Sequence, residues 1–244
     1  MKISLYEYLN IMYKGVSNKN STMSLPVPML NIMNGGCHAN NSVDIQEFMI
    51  IPSNKFNFKD GLMKSVEVYT HLKNLLKEKE LSVSVGDEGG FAPNLKTSEE
   101  VLDLIILSIE RAGLIYLDDI SIALDCAASE LFNKDTYRLT GENKKYSSEE
   151  MIVYIQSLVD KYEIKSVEDP FDETDWNAWK TFTNNNKDLQ IVGDDIFVTQ
   201  EKILTKGIEN KVANSILIKL NQVGTLSETM QTISLAKNNG YKTI

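Results

Sequence analysis

A chain of 244 residues, 42% hydrophobic and 24% charged, has the length for one large core or two small ones and the composition of a soluble globular protein. Its formal net charge of −9 argues against a binder of nucleic acid or other polyanions, yet leaves an anionic small substrate open where a bound divalent cation reverses the local field. Cys37 and Cys126 build neither a disulfide framework nor a zinc site, no apolar run approaches the ~20 residues of a membrane helix, and the start lacks a signal-peptide pattern. The expectation is a reduced, cytoplasmic domain. On that expectation, the glycosylation sequons at Asn20-Ser21-Thr22 and Asn40-Asn41-Ser42 are chance matches.

In chain order, "SLPVPMLNIM" and "EFMIIP" read as buried strands. Two helices follow. "FKDGLMKSVEVYTHLKNLLKEK" predicts a stripe of Phe58, Leu62, Val66, Tyr69, Leu72 and Leu76. "TSEEVLDLIILSIERAG" opens on a capping box of Thr97 and Glu100 and ends at Gly113. "ISIALD" is the next strand. The polar stretch "NKDTYRLTGENKKYSS" then reads as a surface insertion with a small hairpin around Tyr137. "SSEEMIVYIQSLVDKY" puts Met151, Tyr154, Ile155, Leu158 and Val159 on one helical face behind a Ser147–Glu150 capping box. The strands "IKSVE", "LQIVG" and "NSILIKL" follow, and "TLSETMQTISLAKNNG" is a last helix stopping on Gly240.

Strands apolar on both faces and separated by helices imply a parallel sheet, either a (β/α) barrel or a doubly wound sheet. Asp125, Glu168, Asp194 and Lys219 each follow an apolar run, at the spacing of βα units. A barrel gathers such ends on one face, where active sites lie, so the barrel is the favoured fold.

Taken singly, an acid after a strand is most often a turn residue or a helix N-cap, and Asp195 fits that description. Three acids ending three buried strands are different. Converging carboxylates raise one another's pKa, and a hard divalent cation with oxygen ligands resolves the conflict. Asp125, Glu168 and Asp194 form that candidate set. A lysine at a strand end is commonly paired or snorkelling, but beside metal ions and poorly solvated Lys219 could become a neutral general base. "SVGDEGGFAPNL" can be a glycine turn, or can present Glu88 into a cleft as a proton donor. Glu47 would then be the second carboxylate that keeps a proton on the pair. His38, in the loop "NGGCHANN", is an open candidate for a pocket residue, while His71 reads as structural and both cysteines as packing residues.

Together "LPVPMLNIMNGGCHANNSVDIQEFMIIP", "VGDEGGFAPNL", "ALDCAASE", "SVEDPF", "VGDDIFVT" and "ANSILIKLNQVGTLSET" resemble enolase, the phosphopyruvate hydratases, in order and spacing from about residue 25 onward. The resemblance implies an α/β fold, a modified (β/α)8 TIM-type barrel beginning β-β-α-α. It implies Mg²⁺-dependent, reversible dehydration of 2-phosphoglycerate to phosphoenolpyruvate. Asp125, Glu168 and Asp194 match the Mg²⁺ ligands, Lys219 the base, Glu88 the acid with Glu47 as its partner, and His38 a pocket histidine. A Lys or His base with Mg²⁺ is a known pairing for this superfamily. Residues 1–24 then correspond to the end of an N-terminal domain and 25–244 to a barrel truncated near its seventh strand. The family's Ser-His-Arg-Ser phosphate segment and eighth-strand lysine have no match, and Cys37 stands where a serine is usual. The family is typically homo-oligomeric. The expectation is a partial enolase, inactive or weakly active as this chain stands. A non-catalytic metal-binding or interaction protein, and one half of a split enzyme, are the alternatives.

Overall fold

The computed structural model describes residues 2–17 and 23–244, so the Asn20-Ser21-Thr22 sequon lies outside the described residues. An N-terminal helix, α1 (Leu5–Ser17), is followed by an antiparallel pair, β1 (Leu30–Asn34) and β2 (Glu47–Pro52). Two helices come next, α2 (Phe58–Glu78) and α3 (Ser98–Arg111), so the barrel does open β-β-α-α. Then come β3 (Ile120–Asp125), the hairpin β4 (Tyr137–Leu139) and β5 (Lys144–Tyr146), α4 (Ser148–Tyr162) and β6 (Ser166–Glu168). The chain continues through α5 (Trp176–Asn185), β7 (Gln190–Gly193), α6 (Glu201–Asn210) and β8 (Ser215–Ile216). It finishes with a short α7 (Leu220–Val223), α8 (Leu226–Asn238) and β9 (Lys242–Thr243).

Seven strands form one sheet in the order β1-β2-β3-β6-β7-β8-β9. β2 pairs antiparallel with both neighbours, and every pair from β3 onward is parallel. The sheet is an α/β barrel that does not close, since β1 and β9 are not hydrogen-bonded to each other among the described residues. Its core includes Phe48, Ile50, Leu72, Ile105, Ile122, Leu124, Ile155, Trp179, Ile191 and Phe197. No described helix is long and apolar enough to cross a membrane.

Several elements differ from the sequence expectation for identifiable reasons. The first predicted strand begins only at Leu30. Pro26 and Pro28 remove two ladder donors, and Leu25 and Val27 stay exposed. On α2 the buried stripe is Gly61, Ser65, Val68, Leu72, Leu75 and Leu76, with Val66 exposed. The helix approaches β2 so closely that a Cβ on Gly61 would lie 3.1 Å from the Pro52 ring, so small residues face inward there. The Ser147–Glu150 capping box is complete, whereas at α3 only Thr97 caps and Glu100 accepts from Lys96 instead. The hairpin is more than a surface insertion. Tyr137 and Leu139 are buried, and the Asp44 carboxylate accepts the N–H groups of Gly141 and Glu142, each at 2.9 Å.

Candidate active site

Strand register, more than any single residue, sets the chemistry of the barrel's C-terminal face. Glu47 stands opposite Asp125 across β2/β3, and Asp125 opposite Glu168 across β3/β6. Laterally paired residues point to the same face, so three carboxylates form a row. Glu168 is in register with Val192, and Asp194 follows two residues later, on the same side by the period of two. A cavity of about 460 Å³ lies over this row. His38, Glu47, Glu88, Asp125, Glu168, Asp194 and Lys219, all seven residues singled out from sequence, line it.

The row is electrostatically costly. Burial, reinforced by Asp125 and Glu88, lifts the Glu47 carboxyl to about 7. Burial lifts Asp125 to about 6 against the hydrogen bonds it accepts from Ala127 N–H (2.9 Å) and Gln46 (3.1 Å), with Asp194 and Asp195 adding to the rise. Glu168 is driven well above the ordinary range by burial first, then by Asp125, Asp169 and Asp194. Such groups gain most from a hard, oxygen-seeking cation, so the donor set fits Mg²⁺.

Potential ligand atoms gather most tightly in two places: His38 with Glu47 and Glu88, and Asp169 with Asp194 and Asp195. The predicted trio Asp125, Glu168 and Asp194 shares the cavity but is not one of these clusters. The reason is local. Asp125 is turned to Gln46 and Ala127, and Asp194 is held by Lys219 at 2.5 Å and by Gln222 at 2.7 Å. Sequence reasoning missed Asp169. Its buried carboxylate accepts the N–H groups of Asp194 (3.0 Å) and Asp195 (2.8 Å), which ties the end of β6 to the end of β7. The only signal was the acid doublet "ED", which mirrors "DD". Asp195 is not a helix cap, since Gln200 precedes α6; its half-buried side chain faces the cavity.

Lys219 stands three residues beyond β8, at the start of α7, and its side chain is 45% exposed. Burial acts against its ammonium, but the hydrogen bond to Asp194 and the charges of Glu168 and Asp125 prevail and hold it above the ordinary lysine range. With the Asp194 ion pair closed, Lys219 is held as a cation. On the other flank, the Glu88 loop is docked backbone to backbone. Gly86 lets it lie flat, since a Cβ there would be 2.5 Å from the His38 carbonyl. Asn34 accepts Gly90 N–H at 2.9 Å and the Tyr69 hydroxyl donates to the Gly89 carbonyl at 2.9 Å. Glu88 itself is exposed, His38 Nδ1 lies 3.4 Å from Glu47, and Glu47 is half-buried, with its carboxyl lifted to about 7. Cys126 is buried as a packing residue. Cys37 is exposed and donates to Glu130, whose hydrogen bond raises the thiol pKa.

Beneath Asp194, Phe197 is fully buried between two glycines. A Cβ on Gly193 or on Gly207 would come within 2.5 Å of its ring. The apolar residues after the acid doublet therefore seat the loop before α6 begins.

Acids on successive strand ends, a lysine beyond the next strand and a shared cavity define a (β/α)-barrel protein with an oxygen-rich, carboxylate-lined cavity. Residues 22–244 match the family described as enolase, C-terminal TIM barrel domain, and the chain belongs to that family. It is 50% identical over 246 residues to an enolase of Wolinella succinogenes, covering 100% of this chain and 56% of the relative. It is 51% identical over 247 residues to an enolase of Helicobacter hepaticus, covering 100% of this chain and 56% of that protein. With an enolase of Legionella pneumophila (strain Lens) it shares 51% over 229 residues, which is 93% of this chain and 54% of the relative. The chain spans about half the length of the curated relatives it matches.

Proposed function

We propose that this chain carries the acid, the base and the cation ligands of a Mg²⁺-dependent dehydration of 2-phosphoglycerate to phosphoenolpyruvate. Residues 25–244 are read as the catalytic barrel and residues 1–24 as the end of a preceding domain. The observation that carries the reading is the order of the sheet. The Glu47/Glu88/His38 cluster comes from the β1–β2 flank, Lys219 from beyond β8, and the acids of β3, β6 and β7 lie between them. An elimination needs such a layout, with a proton taken on one side of a carbon skeleton and delivered on the other.

Lys219 takes the proton from the carbon next to the substrate carboxylate, so that C–H bond breaks and its electrons form the new double bond. Glu88, with Glu47 as the reservoir of its proton, delivers a proton to the departing 3-hydroxyl, which leaves as water. Asp125, Glu168 and Asp194 would hold Mg²⁺, which as a Lewis acid stabilises negative charge on the substrate carboxylate. Lys219 must surrender its own proton before it can act, and its ion pair with Asp194 opposes that. The reading therefore requires Asp194 to direct its charge elsewhere in the working state.

The test is proton–deuterium exchange at the substrate's α-carbon in D₂O with Mg²⁺, followed by NMR. Slow washout is expected for wild type and for Glu88→Gln, in keeping with a partial substrate site, and its loss for Lys219→Ala. No washout, together with Mn²⁺ affinity unchanged by substrate, overturns the proposal and favours a non-catalytic cation-binding protein. One observation favours that second reading: eight carboxylates line the cavity against one lysine and one histidine.

A further inference from the structure

Asp194 and Lys219 are linked twice, once by their ion pair and once by a longer route through two side chains outside the proposed catalytic set. Lys219 donates its backbone N–H to Thr199 Oγ1 at 2.9 Å. The Thr199 hydroxyl donates to Gln222 Oε1 at 2.7 Å. Gln222 Nε2 donates to Asp194 Oδ1 at 2.7 Å, and Lys219 Nζ returns to Asp194 Oδ2 at 2.5 Å. The result is a closed ring in which each group has the polarity it needs. Because the Gln222 carbonyl oxygen is taken by Thr199, its amide N–H₂ must face Asp194; the opposite amide orientation would set oxygen against carboxylate.

The backbone supports a specific role for Thr199. It is fully buried with φ of 55°, and Val198 before it has φ of 42°. Two consecutive β-branched residues in the left-handed region are disfavoured, and such conformations persist where the surroundings over-determine them, commonly at functional sites. A second anchor is present as well: the Thr232 hydroxyl donates to the Thr199 carbonyl at 2.9 Å.

We propose that Thr199 and Gln222 are positioning residues that fix the Lys219 backbone and the Asp194 carboxylate relative to each other. The inference rests on the reading above, in which Asp194 binds a cation and Lys219 takes a proton. That chemistry requires the Lys219–Asp194 ion pair to open. When it does, the path from Lys219 N–H through Thr199 and Gln222 to Asp194 remains, so the base and the ligand part electrically without moving apart.

The experiment uses the 244-residue chain with Mn²⁺ alone as the probe, its affinity read by electron paramagnetic resonance beside the thermal midpoint of each variant. Thr199→Val and Gln222→Met should each weaken Mn²⁺ binding by about tenfold, as loss of a group orienting a ligand typically does. Thr199→Ser, which keeps the hydroxyl, should recover the affinity lost in Thr199→Val. In the metal-free chain, hydrogen exchange of the Lys219 amide should accelerate in Thr199→Val and not in Thr199→Ser. Wild-type affinity in both Thr199→Val and Gln222→Met overturns the proposal. A wild-type chain that binds no Mn²⁺ refutes the metal reading instead; the ring then stands on faster Lys219 exchange in Thr199→Val and falls if that exchange is unchanged.

Discussion

Raising the pH without metal should weaken this fold, and the row of carboxylates sets by how much. Glu47 rises from 4.5 to about 7 and Asp125 from 3.8 to about 6, chiefly through burial. Both folded values exceed the unfolded ones, so the folded chain binds protons more tightly between about pH 4 and 7. Their contribution is fully present below the unfolded values and is lost as pH climbs through the folded ones. At roughly 1.4 kcal/mol per unit, the Glu47 shift alone is worth about 3 kcal/mol. Because the two acids share one field, their joint effect is expected near 3–5 kcal/mol rather than the sum of separate shifts. Urea unfolding in EDTA at pH 5 and pH 8 measures this directly. Glu47→Gln should flatten the slope, and Mg²⁺ at a hundred times its Kd should restore about 2.7 kcal/mol at pH 8. A metal-free chain as stable at pH 8 as at pH 5, or a Glu47→Gln variant with the wild-type slope, refutes the reasoning.

Asp194→Ala should abolish most Mg²⁺ affinity in calorimetric titration, whereas Asp195→Ala, whose backbone N–H still reaches Asp169, should lower it far less. Lys219→Met removes a positive charge from beside Asp194 and should raise Mn²⁺ affinity by about tenfold or more, even as proton exchange is lost. Phe197→Ala should cost roughly 3–5 kcal/mol in urea unfolding, because Gly193 and Gly207 offer no side chain to fill the gap. Gly86→Ala should displace the Glu88 loop from His38, read as loss of protection at the Asp87 amide, which now donates to the His38 carbonyl at 3.0 Å.

The strand-end acids were legible because an apolar run ending in Asp or Glu is a local pattern, and the βα spacing then implies convergence. His38, Glu47 and Glu88 were legible as candidates with structural alternatives, which the family resemblance sharpened, since their meeting depends on a loop docked across β1. Thr199 and Gln222 left no local trace, and Asp169 left only its place in an acid doublet. Each acts through a partner roughly twenty or more residues away, and its residue type is ordinary for a turn or a short helix. The α2 stripe was misread for a similar reason: Gly61 and Ser65 face inward because β2 lies close, which hydrophobicity alone does not record. The upward shift of Lys219 comes from its hydrogen bond to Asp194 and from the charges of the surrounding acids, and spacing carries no information about that contact.

The lateral row of Glu47, Asp125 and Glu168 has a further consequence, for how the sheet finds its alignment. Successive side chains on a strand alternate faces, so sliding β3 by one residue would swap Asp125 with Leu124. An acid would enter the packed side and a leucine would face the cavity. A cation gripping the row would hold the strands in step, so the same acids that repel one another would also mark correct strand registration as the chain folds.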